Sequence, residues 1–304
     1  MWAYTCISLF VMVVVAENKQ LIMIDAINSI KSWNASITPY SFLDWGQKLS
    51  MLGLIVDETI NPPYNENTIV ADLPKTFLTT HKWPKCLSSI LQQGRCGSCW
   101  AFAGISTLQD RLCISTNGNI LESLSTLNIL SCREDHQELC AGNKISSAFE
   151  IAKGGVVQEE CSPYITDPEG NIVDSPASCS RQVCSKYKIK RKEYRVGSFN
   201  YLNQDHKSVM SEIFVHGPVV ASMMVNEDFY HLSHHEEPYH HAQGKFVGWH
   251  SVKLFGWGVS PSGVPFYHAA NSWGVTWGNG GFFKIKIDEY GLAQSVCGPE
   301  LLFH

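Results

Sequence analysis

The sequence of 304 residues has little charge of either sign. Charged residues make up 17% against 44% hydrophobic, a globular balance, and the formal net charge of −5 is too mild to name a partner. The densest basic stretch, Lys186 to Arg195, is short and interrupted, so it reads as a solvated face and nucleic acid is not expected as a partner. Long apolar runs are missing too. None reaches the roughly 20 residues that a membrane-spanning helix needs. No cysteine and histidine residues fall at the paired spacing of a zinc site, so no metal is expected, and no organic cofactor is implied. Internal repeats and low-complexity tracts are absent.

Cysteine is unevenly spread. The chain has 11, and none lies between residues 17 and 72, which marks a boundary. Ahead of it, Ile7 to Val15 is a short apolar run followed by Ala16 and the polar Glu17-Asn18-Lys19. That pattern predicts a signal peptide over 1–16, with Val14 and Ala16 as the small residues before the cut; a buried first strand is the alternative. A leader and ten remaining cysteines predict an oxidising compartment and a disulfide framework. A lysosome-like vesicle and the cell exterior both fit, and Leu301-Leu302-Phe303-His304 carries no retention signal.

Within 17–72, Leu21, Ile24, Ile27 and Ile30 recur at helical spacing, and a second helical pattern covers Phe42 to Leu54. Asn61-Pro62-Pro63-Tyr64 breaks regular structure, and Asn34-Ala35-Ser36 is a glycosylation sequon. Further on, Ser98 to Leu112 predicts a buried helix, with shorter ones over Ser123–Leu130 and Ser146–Ala152. From about 190 the residues turn β-branched and aromatic with glycine punctuation. Val215–Val225, Ser251–Gly258, Pro265–Ala270 and Gly281–Ile287 read as strands. Helices first and strands second predict an α+β fold in two halves with a cleft between them.

The run Gln93-Gly94-Arg95-Cys96-Gly97-Ser98-Cys99-Trp100 carries the chemistry. Gly97 or Ser98 can cap the following helix, which puts Cys99 in its first turn, where the dipole and unpaired amides favour a thiolate. The Cys99 amide and the Gln93 side chain can donate to a developing oxyanion. His250, before the apolar run Val252–Trp257, is the candidate general base. Asn271, in Asn271-Ser272-Trp273, can hold its ring in one tautomer, with Trp273 keeping water away.

These pieces resemble the papain family of cysteine proteases, and within it the cathepsin B group. Leu73-Pro74-Lys75-Thr76-Phe77, Trp83-Pro84-Lys85-Cys86, Asp110-Arg111-Leu112-Cys113, Gly217-Pro218-Val219 and Trp277-Gly278-Asn279-Gly280-Gly281 extend the likeness. The resemblance implies a helical left domain carrying Cys99, a β-barrel-like right domain carrying His250 and Asn271, and an N-terminal propeptide. It implies an inhibitory propeptide over 17–72 and a mature peptidase over 73–304. It also implies the pairs Cys86–Cys113, Cys96–Cys140, Cys132–Cys179 and Cys161–Cys184, with Cys99 and Cys297 free. Expected partners are protein and peptide substrates, the propeptide as inhibitor and cystatin-type inhibitors, acting on a monomer.

The sequence departs from cathepsin B in five places. The occluding loop, with its His pair and two cysteines, is missing between Cys161 and Cys179, which predicts an uncapped cleft and an endopeptidase. A further short disulfide lacks both partners, with Arg133 in place of one. Cys140-Ala141-Gly142-Asn143 replaces Cys-Asn-Gly-Gly, so the Asn143 side chain is expected to crowd a substrate strand pairing at Gly142 and Asn143. Trp249 and Ser251 replace a glycine and an alanine beside His250. Positions matching the pocket for the second residue before the cut are Ile145, Ser222, Ser251 and Leu302; Leu302 replaces an acidic residue and predicts an apolar preference. These substitutions motivate two alternatives, a catalytically weak peptide-binding homologue and a transpeptidase. Finally, the histidines at 231, 234, 235, 240 and 241 are read as a solvated loop in preference to a metal site or pH sensor.

Overall fold

The structure is a computed structural model that describes residues 18–56, 69–133, 137–173, 179, 184, 189–203, 205–234, 236–289 and 291–302. The signal-peptide expectation over 1–16, the Pro62-Pro63 break and His235 lie outside the described residues.

Helices α1 (18–30) and α2 (Trp45–Ser50) precede a short strand β1 (Phe77–Leu78) and α3 (Thr79–Lys82). The helical half follows, with α4 (Cys99–Ser115), α5 (Thr126–Ser131) and α6 (Ser147–Lys153). Then come β2 (Val156–Val157), β3 (Ile165–Thr166), β4 (Ile172–Val173), β5 (Glu193–Tyr201), α7 (His206–His216), β6 (Val219–Asn226), β7 (Phe246–Val259), β8 (Pro265–Ala270), β9 (Phe282–Lys286) and β10 (Val296–Leu302). Among the described residues, no helix is long and apolar enough to cross a membrane.

α4 is the central helix. Every residue from Cys99 to Cys113 is buried, so it is wrapped on all sides instead of being amphipathic. Gly104 lets α6 approach: a Cβ there would lie 2.4 Å from the Ala148 methyl. The main sheet runs β2-β5-β10-β6-β7-β8-β9, with β1 added to β7, and its described pairs are antiparallel. Its end strands do not meet, so the expected barrel-like half is an open curved sheet. Register on β6 and β7 places Met223 opposite His250 and Ser222 opposite Ser251.

Four disulfides, Cys86–Cys113, Cys96–Cys140, Cys132–Cys179 and Cys161–Cys184, pair as the resemblance implies. Cys99 and Cys297 are free and buried.

Two elements differ from the sequence reading. The helix expected over Phe42–Leu54 stops at Ser50. Asp44 opens it with a capping box to Gln47, and beyond Met51 the chain gives up helical bonds for partners in the cleft. The strand expected from Val215 starts at Val219, because Val215 and His216 end α7. That helix is capped by Asp205 and closed by Gly217 at φ 98°.

Candidate active site

Cys99 is the first residue of α4, with Ser98 at the N-cap, as the sequence predicts. The Ser98 hydroxyl does not cap the helix; it turns towards the Cys96 carbonyl at 3.5 Å. The Cys99 sulfur is fully buried and accepts a bond from the Gly53 amide at 3.3 Å. The amides of Ser251 and Trp100 also face it, as does the Ser251 hydroxyl, which has no other partner. Burial outweighs these donors and pushes the thiol up.

His250 is also fully buried, and burial lowers it to about 4 against the raising effect of its Asn271 bond. Its Nε2 lies 2.8 Å from Asn271 Oδ1, which also accepts the Ser272 amide at 2.8 Å. That second bond identifies the atom as the oxygen, so His250 Nε2 carries the hydrogen and Nδ1 keeps its lone pair. Nδ1 is buried with no hydrogen-bond partner. Trp273 covers the pair, with ring centroids 5.2 Å from His250, and is itself stacked between Tyr40 and Tyr230.

Gln93 is buried on the other side of the cleft. Ser272 Oγ donates to its Oε1 at 2.6 Å, which turns Nε2 outward to the carbonyls of Cys96 at 2.7 Å and Met51 at 2.8 Å. The sequence reading passed over Ser272, although it lies inside the quoted Asn271-Ser272-Trp273 run. It also passed over Tyr164, whose hydroxyl donates to the Gln93 carbonyl at 2.7 Å.

The leading segment runs through this cleft as an extended strand. Asn143 N donates to Gly53 O and Ile55 N donates to Asn143 O, both at 2.9 Å, and Leu54 forms a parallel bridge with Asn143. Leu54 N also reaches the Trp249 carbonyl at 3.4 Å. Contact is backbone to backbone: a Cβ on Gly142 would lie 2.5 Å from Gly53 O. Asn143 does not block the strand. Its Oδ1 folds back onto the Lys144 amide at 2.9 Å, and its φ is not positive, so the expected crowding does not arise. Arg133 ties down the 138–142 segment. Its guanidinium donates to the carbonyls of Ala141 at 2.6 Å, Gly142 at 3.2 Å and Glu138 at 3.3 Å, and lies over the Trp100 ring.

Of the pocket candidates, Ile145 shares an apolar cluster with Leu54 and Cys99, against which Trp249 and Leu301 also pack. Ser222 and Ser251 lie opposite each other beside it. Leu302 is 49% exposed at the end of β10, against Gly197, and is not brought into that cluster. Where an occluding loop would rise, β3 and β4 form a short hairpin, and Gly170 O accepts from the Arg95 amide at 2.7 Å. Among the described residues, no group of three or more His, Cys, Asp or Glu could hold a metal ion.

A family model described as papain family cysteine protease matches residues 73–300. Cathepsin B of Dictyostelium discoideum is 36% identical over 238 residues, covering 74% of this chain and 73% of that protein. The cathepsin B-like cysteine proteinase 3 of Caenorhabditis elegans is 33% identical over 302 residues, covering 90% and 79%. The chain belongs to the papain family of cysteine proteases.

Among solved structures, proCathepsin B S9 from Trypanosoma congolense has the same fold. The TM-score is 0.83 at 24% identity, covering 93% of this chain and 98% of that one. The proform of the ragweed pollen cysteine protease Amb a 11 gives 0.72 at 21%, over 94% and 86%. The leading segment of this papain-family chain lies across the cleft in a fold shared with those proforms.

The leading segment is also anchored on the sheet half, at Trp273 and along 227–241. Tyr40 donates its hydroxyl to the Trp273 carbonyl and Trp33 Nε1 donates to His240 O at 2.9 Å. Thr38 Oγ1 donates to Tyr230 O at 2.6 Å. The solvated-loop expectation fails for His231, which is fully buried, while His234 and His241 are exposed as expected, with His241 Nδ1 3.1 Å from Asp228.

Proposed function

We propose that this papain-family protease is an endopeptidase in which Cys99 is the nucleophile, His250 the general acid and base, Asn271 the orienting partner, and Gln93 with the Cys99 amide the oxyanion donors. The observation that carries the reading is the propeptide itself. A peptide backbone already lies across Cys99, with the Met51 carbonyl on Gln93 Nε2, the Gly53 amide on the Cys99 sulfur and the Ile55 amide on the Asn143 carbonyl.

With the propeptide gone, water reaches Cys99 and His250, the burial that holds both neutral is relieved, and the proton moves from sulfur to Nδ1. The thiolate adds to the substrate carbonyl, and the oxyanion takes the Gln93 donor that Met51 now occupies. The tetrahedral intermediate collapses as imidazolium protonates the leaving amine, which departs. His250 then removes a proton from water, and the hydroxide releases the acid and regenerates the thiol pair. The short β3–β4 hairpin supports an open cleft and internal cleavage. Leu54, buried between Asn143 and the cluster of Ile145 and Trp249, supports an apolar preference at the second residue before the cut. We place the mature start near Leu73 and the finished enzyme in a vesicle or outside the cell.

The test is to titrate the form starting near Leu73 with an irreversible epoxide inhibitor while following an internally quenched peptide with leucine two residues before the cut. Stoichiometric labelling of Cys99 with loss of cleavage is expected. A folded, propeptide-free protein that neither labels nor cleaves would sink the reading and favour the peptide-binding homologue.

A further inference from the structure

His231 takes no part in the chemistry above, yet it is fully buried and both its ring nitrogens meet propeptide side chains. Nε2 lies 2.8 Å from Gln20 Oε1 on α1, and Nδ1 lies 2.9 Å from Ser41 Oγ. Gln20 Oε1 can only accept, so Nε2 carries the hydrogen and Nδ1 is left to accept from the Ser41 hydroxyl. Ser41 is itself buried and already accepts the Thr38 amide at 2.9 Å. One imidazole thus clasps two separate parts of the propeptide, and in this pattern it is neutral.

We propose that His231 is a proton-binding latch: neutral, it ties α1 and the Thr38–Ser41 turn to the peptidase, and on protonation it releases them. This rests on the propeptide leaving during maturation. A second hydrogen on Nδ1 would force the Ser41 hydroxyl to rotate and accept where it now donates, although its oxygen already accepts the Thr38 amide. The new charge would also be shut away from water.

The surrounding charges do not rescue it. Lys48 on α2 faces His231 and adds repulsion, and its ammonium lies 5.0 Å from the Tyr230 ring. Asp228 and Glu227, on the same segment as His231, attract, but both are engaged. Asp228 takes the Tyr239 hydroxyl, His241 and the amides of Ala242 and Gln243, and the His241 amide is held by Glu289. Glu227 takes the Lys245 amide and lies 4.0 Å from Lys19. Burial dominates, followed by Lys48, and lowers docked His231 to about 4. Released into water it returns to about 6.5. The undocked state therefore binds the extra proton. Docking is full above about pH 6.5 and weakens as pH falls, by about 30-fold between pH 7.5 and pH 5 from this side chain alone.

The test uses the full zymogen with Cys99→Ser, which cannot cleave itself, so it reads docking even if the protease reading fails. Hydrogen exchange at the Ile55 amide, corrected for intrinsic rate, measures propeptide opening. Protection should fall from pH 7.5 to pH 5 by the His231 share, about 30-fold, on top of the share of buried His250. Adding His231→Gln, which can still donate one bond and accept another, should make the fall about 30-fold smaller. Equal pH slopes in the two proteins would overturn the latch. A second reading needs no folded variant: the 13Cε1 resonances of the histidines. Two resonances, one of them that of His250, should stay untitrated down to pH 5 in the zymogen and titrate once the propeptide is cleaved away. If fewer than two make that change, the proposal fails.

Discussion

Gly53 of the propeptide and Gly97, two residues before Cys99, are in backbone contact: a Cβ on Gly53 would lie 1.8 Å from the Gly97 carbonyl oxygen. No side chain fits at position 53 against that carbonyl, so the segment can lie on the nucleophile only if residue 53 is glycine. Gly97 is confined instead by the Cys140 carbonyl, 2.5 Å from where its Cβ would stand. Gly53→Ala should lift the strand and weaken docking by roughly 10- to 100-fold, the cost of forced overpacking. The check is the rate at which Cys99 in the intact zymogen alkylates near neutral pH. The mature enzyme, which lacks Gly53, should behave as wild type.

Ser272 holds the amide of Gln93 from behind through the bond to Oε1. Its loss frees the donor to turn without moving Cys99 or His250. Ser272→Ala should lower kcat about tenfold with little change in KM, the worth of one buried hydrogen bond made in the transition state. Steady-state kinetics normalised by active-site titration will show the split.

Arg133 pins the carbonyls of Ala141 and Gly142, and so positions the Asn143 backbone that a substrate strand would use. Arg133→Ala should raise KM roughly tenfold and leave kcat within about twofold, since the segment it orders binds peptide and does no chemistry. A fall in kcat at unchanged KM would contradict this.

Lys253 and Asp110 form a fully buried ion pair at 2.6 Å, with Ser88 N on the other carboxylate oxygen. Burial raises the Asp110 carboxyl, and Lys253 is the first influence that opposes the rise. Lys253→Met would strand the carboxylate and should destabilise by about 3–5 kcal/mol at neutral pH. A group raised on folding contributes stability that is lost as pH rises through its folded value. The penalty should therefore be larger at pH 8 than at pH 5, read from urea unfolding of the zymogen.

Much of the site is legible in the sequence because its chemistry is local. Gln93 to Trp100 places the thiol at a helix start by chain connectivity alone, and Asn271-Ser272-Trp273 carries the acceptor, the Gln93 prop and the cover within three residues. The strands over β7, β8 and β9 show in their β-branched and aromatic runs. Less visible was what depends on a distant partner. The helical pattern of Phe42–Leu54 is real, but past Ser50 its amides and carbonyls find Cys99, Gln93 and Asn143 instead of one another. The β-branched Val215 belongs to a helix that Asp205 caps ten residues earlier.

The sequence by itself determined the family, the nucleophile candidate and the α+β order, since each follows from residue type and spacing along the chain. The cysteines left over for the site came from the pairing that the resemblance implies. Tertiary structure alone decided how the zymogen is held shut. His231 looks like one histidine in a polar run until Gln20 and Ser41, 211 and 190 residues away, close on its two nitrogens. Burial, which no spacing encodes, then sets its charge and that of the Cys99–His250 pair.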